Sequence, residues 1–327
     1  MKKSRFLLIA GIILIIILLM MAYYYYSIQG EENKEKVSVS VIVYGEDTER
    51  WENLRRGAEQ AAEKISDEGT FVEVNLMTTM SERDAQEQIY LIQREIKRGA
   101  DALIIASCNY VAVKEYFETI DRSIPVIFVE SGIGENSDYQ FVSADNYKMG
   151  YSLGEEILKK EISKVKIAVI EDGTNRDSLL ERKRGLQDAL QEKISKIVTW
   201  KRSKNEENIQ TMLFLQRELT EEAVDVVVAL DNTSTEAIVS AVQNLNKDVK
   251  IYAIANTEMA IYHLDNKTIE SMVVQNEFSM GYIAIEQLMK HSEYADEELK
   301  NHVTFIAVDK RRLYLKKNQK LLFPFVK

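Results

Sequence analysis

VSVIVYGEDTERWENLRRGAEQAAEKI, residues 39–65, joins a buried-strand run to an acidic polar loop and then to a helix opening near Trp51. About 125 residues further on, VKIAVIEDGTNRDSLLERKRGLQDALQEKI (165–194) repeats the pattern, with Gly185 standing where Gly57 stood and Arg184 where Arg56 stood. The echo continues: GADALIIAS (99–107) answers EAVDVVVAL (222–230), and IPVIFVES (124–131) answers VKIYAIAN (249–256). Duplicated strand–helix units predict two similar parallel-sheet lobes with a ligand cleft between them.

Outward from these units, apolar strands alternate with amphipathic helices. Strands are expected at Val37–Tyr44, Phe71–Met77, Ala102–Ser107, Val126–Glu130, Lys166–Ile170, Lys196–Trp200, Val224–Leu230 and Lys250–Ala255. Short runs without strict alternation fit strands covered on both faces. Asp84–Lys97 carries Ile89, Ile92 and Ile96 on one face, and Thr233–Asn244 opens on capping residues before an apolar stripe. The fold class is therefore α/β, two doubly wound parallel-sheet lobes with a hinge between them. The expected division is 37–144 with 276–304 for lobe 1, and 145–275 with 305–327 for lobe 2.

The N-terminus is a separate matter. Lys2, Lys3 and Arg5 precede the apolar run Phe6–Ala22 and then Tyr23 to Tyr26. This predicts one transmembrane helix within 1–30, an uncleaved signal anchor rather than a cleaved signal peptide. Its basic flank would be cytoplasmic, 31–36 a tether, and the rest of the chain extracytoplasmic at the cell membrane.

Bulk composition narrows the function. A net charge of −10 argues against a nucleic-acid partner, and one cysteine, Cys108, rules out an internal disulfide framework and reads as a core residue. No GxSxG, HExxH or GxxxxGK motif appears, so neither catalysis nor a metal or cofactor is expected. The three histidines, His263, His291 and His302, are expected at the surface. Glu171-Asp172 reads as a solvated turn, and Lys310 to Lys317 as a surface strand with a charged face.

In parallel sheets ligands bind beyond the carboxyl ends of the strands. The residues there, Tyr44–Trp51, Ser107–Tyr110, Glu130–Gly134, Asp145, Glu171–Arg182, Trp200–Ser203, Asp231-Asn232 and Asn256, supply carboxylates, amides, hydroxyls, arginine and tryptophan. That chemistry suits a small polar ligand held by hydrogen bonds with rings stacked on its apolar faces.

Taken in order, VIVYGEDTERWENLRRGAEQAA, GADALIIASCNYVAV, IPVIFVES, FVSADNYKMGYSLGEEI, ERKRGLQDAL, VDVVVALDNTSTEAIVSAV and DNKTIESMVVQNEFSMGYIAIEQL resemble the type I periplasmic binding proteins. Within that family they resemble the ribose- and galactose-binding branch that feeds sugar ABC importers, and the resemblance covers 37–308. The resemblance implies ligand-binding roles for Trp51, Glu130, Arg182, Trp200, Asp231, Gln275 and, with a one-residue shift, Asn256; Asp145 falls near the hinge. Arg50 stands where the family has its first stacking ring, Ser131 where it has an arginine, and Ala106 where it has an asparagine. A sugar is the expected ligand, although Arg50 and Arg182 together also suit an anionic or phosphorylated one. The implied partner is an ABC permease or a sensor kinase. A histidine-kinase ectodomain role without transport stays open, and a repressor-like regulator lacking its DNA-binding domain is the remote alternative.

Overall fold

A computed structural model describes residues 15–22, 35–45, 48–67, 69–120, 124–134, 137–160, 165–190, 196–203, 208–290 and 303–322. Lobe 1 begins with β1 (Glu35–Val43), α1 (Thr48–Asp67), β2 (Thr70–Thr78), α2 (Ala85–Arg98), β3 (Ala102–Ile105), α3 (Tyr110–Thr119), β4 (Val126–Val129) and β5 (Gln140–Val142). Its sheet runs β2-β1-β3-β4-β5, every pair parallel.

The chain then crosses into lobe 2. This comprises α4 (Asn146–Lys160), β6 (Lys166–Glu171), α5 (Asp177–Leu190), β7 (Lys196–Lys201), α6 (Asn208–Glu221), β8 (Val226–Ala229), α7 (Asn232–Leu245), β9 (Lys250–Ile254), α8 (Glu258–Asp265) and β10 (Ile269–Gln275). It returns to lobe 1 as α9 (Glu277–Lys290) and crosses once more as β11 (Phe305–Val308), α10 (Lys310–Leu313) and α11 (Lys316–Leu322). The second sheet runs β11-β10-β9-β8-β6-β7, parallel except that β11 pairs antiparallel with β10. The three crossings lie side by side: Asn276 N donates to Thr304 O at 3.1 Å and Val303 N to Ser143 O at 3.4 Å. They form the hinge.

Strands β3, β4 and β8 are buried at every residue, the signature of sheets covered by helices on both faces. One apolar cluster runs through both lobes on the hinge side, including Trp51, Met149, Leu186 and Met280. Separate clusters fill the opposite face of lobe 2 and of lobe 1. Each lobe also holds a helix pair brought together by glycines. A Cβ on Gly57 would lie 1.9 Å from Phe278 O, and one on Gly281 1.9 Å from Leu54 O, so α1 and α9 meet backbone to backbone. In lobe 2 the same is true of Gly185 against Tyr147 O and Gly150 against Arg182 O. The internal repeat therefore extends to the packing of its helices.

Several expectations are corrected. The Lys310–Lys317 segment is two short helices rather than a surface strand; Asp309 accepts from Arg312 N to cap the first. His263 is buried on α8 against the edge of Tyr262, and the other two histidines lie outside the described residues. Residues 15–22 are helical, but the rest of the expected anchor, the tyrosines and most of the tether lie outside the described residues. Among the described residues no helix is long and apolar enough to cross a membrane.

Candidate functional site

The carboxyl ends of both sheets face each other, and the groups they present are locked by their own loops. Glu130, directly after β4, has φ +60°, a left-handed backbone that costs energy for a residue with a Cβ. Its carbonyl accepts from Asn146 Nδ2 and Ser143 Oγ, which hold that geometry. Its carboxylate then takes three partners: Arg50 Nη2 at 2.8 Å, Arg182 Nη2 at 2.9 Å and Tyr44 Oη at 2.6 Å. Glu130 belongs to lobe 1 and Arg182 to lobe 2, so this ion pair spans the cleft. Arg182 also donates Nε to Asn146 Oδ1 and Nη1 to Leu230 O, at 2.8 and 2.9 Å.

These groups are almost fully buried. Burial alone would raise the Glu130 pKa, but Arg50, Arg182 and the Tyr44 hydroxyl outweigh it and hold the carboxyl at about 2. Burial and the neighbouring Glu130 charge push the Tyr44 phenol up to about 12. Asp231 has two tasks: Oδ1 accepts from Ser234 N as the cap of α7, and Oδ2 accepts from Arg176 Nη2 at 2.5 Å. Burial works to raise its pKa, yet Arg176 and Arg202 keep it well below the carboxylate range.

Between these groups lies a cavity that opens in part to solvent. Its charged wall is Arg50, Arg182, Asp231 and Glu277, its amide wall Asn232, Asn256 and Gln275, and its floor Ile254, Ala255 and Val273. Asn256 N donates to Asn232 Oδ1 at 2.9 Å, and Asn256 Nδ2 donates to the Glu277 carboxylate. Gln275 Oε1 is buried without a hydrogen-bond partner. An orphaned acceptor at a cavity wall is the group a ligand hydroxyl would satisfy.

Of the residues singled out from sequence, Arg50, Arg182, Asp231, Asn256 and Gln275 line the cavity, and Glu130 ties its two arginines together. Trp51 is adjacent but covered. Its ring meets Tyr44 edge-on at 5.2 Å and Arg50 lies over it at 4.2 Å, while Nε1 donates to Tyr44 O. Trp200 is elsewhere: it packs in the lobe 2 core and donates Nε1 to Glu222, so its ring offers no ligand face. Asp145 starts α4 at the first crossing, accepting from Lys148 N and pairing with Lys148 Nζ.

Sequence reasoning passed over Asn146, Glu277, Glu82 and Arg83, and it gave Tyr44, Asp172, Arg176 and Arg202, although within its strand-end segments, no individual role; Glu82, Arg83, Asp172, Arg176 and Arg202 form a second buried charge cluster. The Glu171-Asp172 turn is solvated only at Glu171; Asp172 is buried on Arg83, Arg176 and Arg202. The available signal was position, since Arg176 and Arg202 directly follow β6 and β7, at strand ends like the one that carries Asp231. Among the described residues no group of three His, Cys, Asp or Glu side chains is arranged to hold a metal.

Two lobes joined by three crossings, with a polar cavity lined by hydrogen-bonding groups from both, form the architecture of a two-lobed binding protein. The chain belongs to the periplasmic binding protein domain family, whose sequence profile matches residues 39–296. No curated protein matches. Among solved structures it is similar to GanP, a glucose-galactose binding protein from Geobacillus stearothermophilus, with TM-score 0.74 and 19% identity over 86% of this chain and 100% of that one. An ABC transporter solute binding protein from Agrobacterium vitis with bound D-fucose superposes with TM-score 0.76 at 18% identity, covering 88% of this chain and 100% of its own. A chain of the XylFII-LytSN complex superposes with TM-score 0.68 at 19% identity, over 84% of this chain and 98% of its own.

Proposed function

We propose that this protein is a membrane-tethered extracytoplasmic receptor that closes on a small neutral polyhydroxylated solute, a sugar or sugar-like compound. It binds that solute without transforming it. The observation that carries the reading is the cavity with its orphaned Gln275 acceptor, walled by arginine, carboxylate and amide groups from both lobes. Such a ligand touches both lobes at once and so stabilises the closed form by its differential affinity.

Charge balance favours a neutral ligand over a phosphorylated one. Both arginines that could meet a phosphate are already held by Glu130, and Glu277 adds a second negative charge to the wall. The sugars named with the structural neighbours support the same class. Tethering rests on Lys2, Lys3 and Arg5 ahead of the apolar run to Ala22.

The closed form is read by a membrane partner, either an ABC permease that accepts the solute or a sensor protein. The solute-binding neighbours of ABC transporters support the first, and the fold's occurrence in the XylFII-LytSN complex supports the second. A thermal-shift screen of the purified chain against neutral monosaccharides, polyols and sugar phosphates tests the ligand class. A ligand at one hundred times its Kd stabilises by about 2.7 kcal/mol. Stabilisation by sugar phosphates alone, or by none of the three groups, sinks the reading.

A further inference from the structure

The ligand cavity uses only part of the charge buried between the lobes. A second cluster lies at the cleft rim, and none of its cross-lobe contacts uses a side chain that lines the cavity. From lobe 1, Arg83 donates Nη1 to Asp172 O and Ser203 O, each at 3.0 Å, and pairs Nη2 with Asp172 Oδ1 at 2.5 Å. Beside it Glu82 accepts from Thr233 Oγ1 at 3.1 Å and lies 3.7 Å from Arg176 and 3.8 Å from Arg202. Tyr110 N donates to Asn175 O at 2.8 Å across the same gap. Every one of these bonds joins lobe 1 to lobe 2.

The cluster's position gives it leverage. Glu82 and Arg83 follow β2, one edge of the first sheet, and Ser203 follows β7, the matching edge of the second. The crossings that form the hinge follow β5 and β10, toward the other edge of each sheet. The rim cluster therefore closes the mouth at the point farthest from the hinge. Its lobe 1 half is built in advance. Thr79 Oγ1 accepts from Gly45 N and donates to Ser81 O, Arg83 N donates to Ser81 Oγ, and Asp84 caps α2. A loop fixed in this way loses little entropy when it docks.

We propose that this cluster is a latch that holds the cleft shut in the absence of ligand. The empty protein rests closed, ligand enters through a minor unlatched state, and binding deepens a closure that already exists.

The test measures the lobe separation directly in the full-length chain in detergent, with no ligand present, so its outcome is separate from the ligand assignment. Nitroxide labels at Tyr90→Cys on α2 and Leu213→Cys on α6, both exposed positions on helices flanking the mouth, report the distance by pulsed electron resonance. The native Cys108 is buried, and burial pushes its thiol up to about 12, so it stays unlabelled. The doubly labelled parent should give one short distance. Arg83→Met and the isosteric Glu82→Gln should add a longer population, lowering the closed-to-open ratio at least tenfold. Arg184→Met, which removes an exposed pair with Glu181, should leave the parent distribution unchanged. Should Arg83→Met fail to fold by circular dichroism, Glu82→Gln decides. An open ligand-free parent, an unchanged distribution in the rim variants, or equal opening in Arg184→Met overturns the latch.

Discussion

Glu130→Gln removes one charge and almost no volume at the point where the lobes are joined by Arg50 and Arg182. The fall of the Glu130 pKa from an ordinary 4.5 to about 2, at 1.36 kcal/mol per pH unit, corresponds to about 3 kcal/mol of folding stability. That figure lies at the lower edge of the ~3–5 kcal/mol typical when one partner of a buried ion pair is removed. The sign follows from the depressed native value. The contribution is complete above about pH 4.5, fades as pH falls, and is gone below about pH 2, where the native carboxyl is protonated and resembles the glutamine. Urea unfolding of wild type and variant, followed by tryptophan fluorescence, should therefore show a gap of about 3 kcal/mol at pH 7 that narrows steadily below pH 4.5. Trp51 is a suitable reporter, since Arg50 lies 4.2 Å over its ring. A gap below 1 kcal/mol at pH 7, or an equal gap at pH 3 and pH 7, refutes the assignment of Glu130 as the charged tie between two buried arginines.

Gln275→Ala should weaken binding of the ligand found by the screen about tenfold while leaving the melting temperature nearly unchanged, because Gln275 Oε1 has no protein partner to lose. Trp200→Phe should leave that affinity untouched in calorimetry, its ring being part of the lobe 2 core. Gly57→Ala and Gly185→Ala each thrust a methyl against a backbone carbonyl and should cost at least the ~1–3 kcal/mol of an overpacked core in chemical unfolding. Deleting residues 1–30 should release the chain from membranes into the soluble fraction; continued sedimentation with vesicles counts against a single N-terminal tether.

The architecture was largely legible because periodicity and repetition are local properties. The echo between 39–65 and 165–194 places β1–α1 and β6–α5, and the matched Gly57 and Gly185 both sit where helices touch. The site was legible only in part. Arg182 and Asp231 stand out by position, whereas Arg83, Arg176 and Arg202 look like ordinary surface charge until three separate loops converge and exclude water from them. Trp200 and Trp51 mislead for a related reason. A ring near a strand end can face the cleft or the core, and pairing with Glu222 or with Arg50 decides the matter only in three dimensions. His263 is hidden by tertiary packing on a short helix that carries no strong sequence pattern.

The two glycine helix contacts have unequal consequences for how the chain assembles. Gly150 and Gly185 lie on successive helices around β6, so their contact can form as soon as that stretch has emerged. Gly57 must wait for Gly281, which arrives only after lobe 2 has been made as far as β10. Closing so long a loop is slow, and until it closes the α1 face beneath α9 stays bare. Lobe 2 up to β10 should thus form first and serve as the platform on which lobe 1 is completed, with β11 added to its edge last. A chain interrupted just after β10, near residue 276, would carry a second lobe complete except for β11 to α11, tied to a first lobe still lacking α9, a natural substrate for chaperones and proteases.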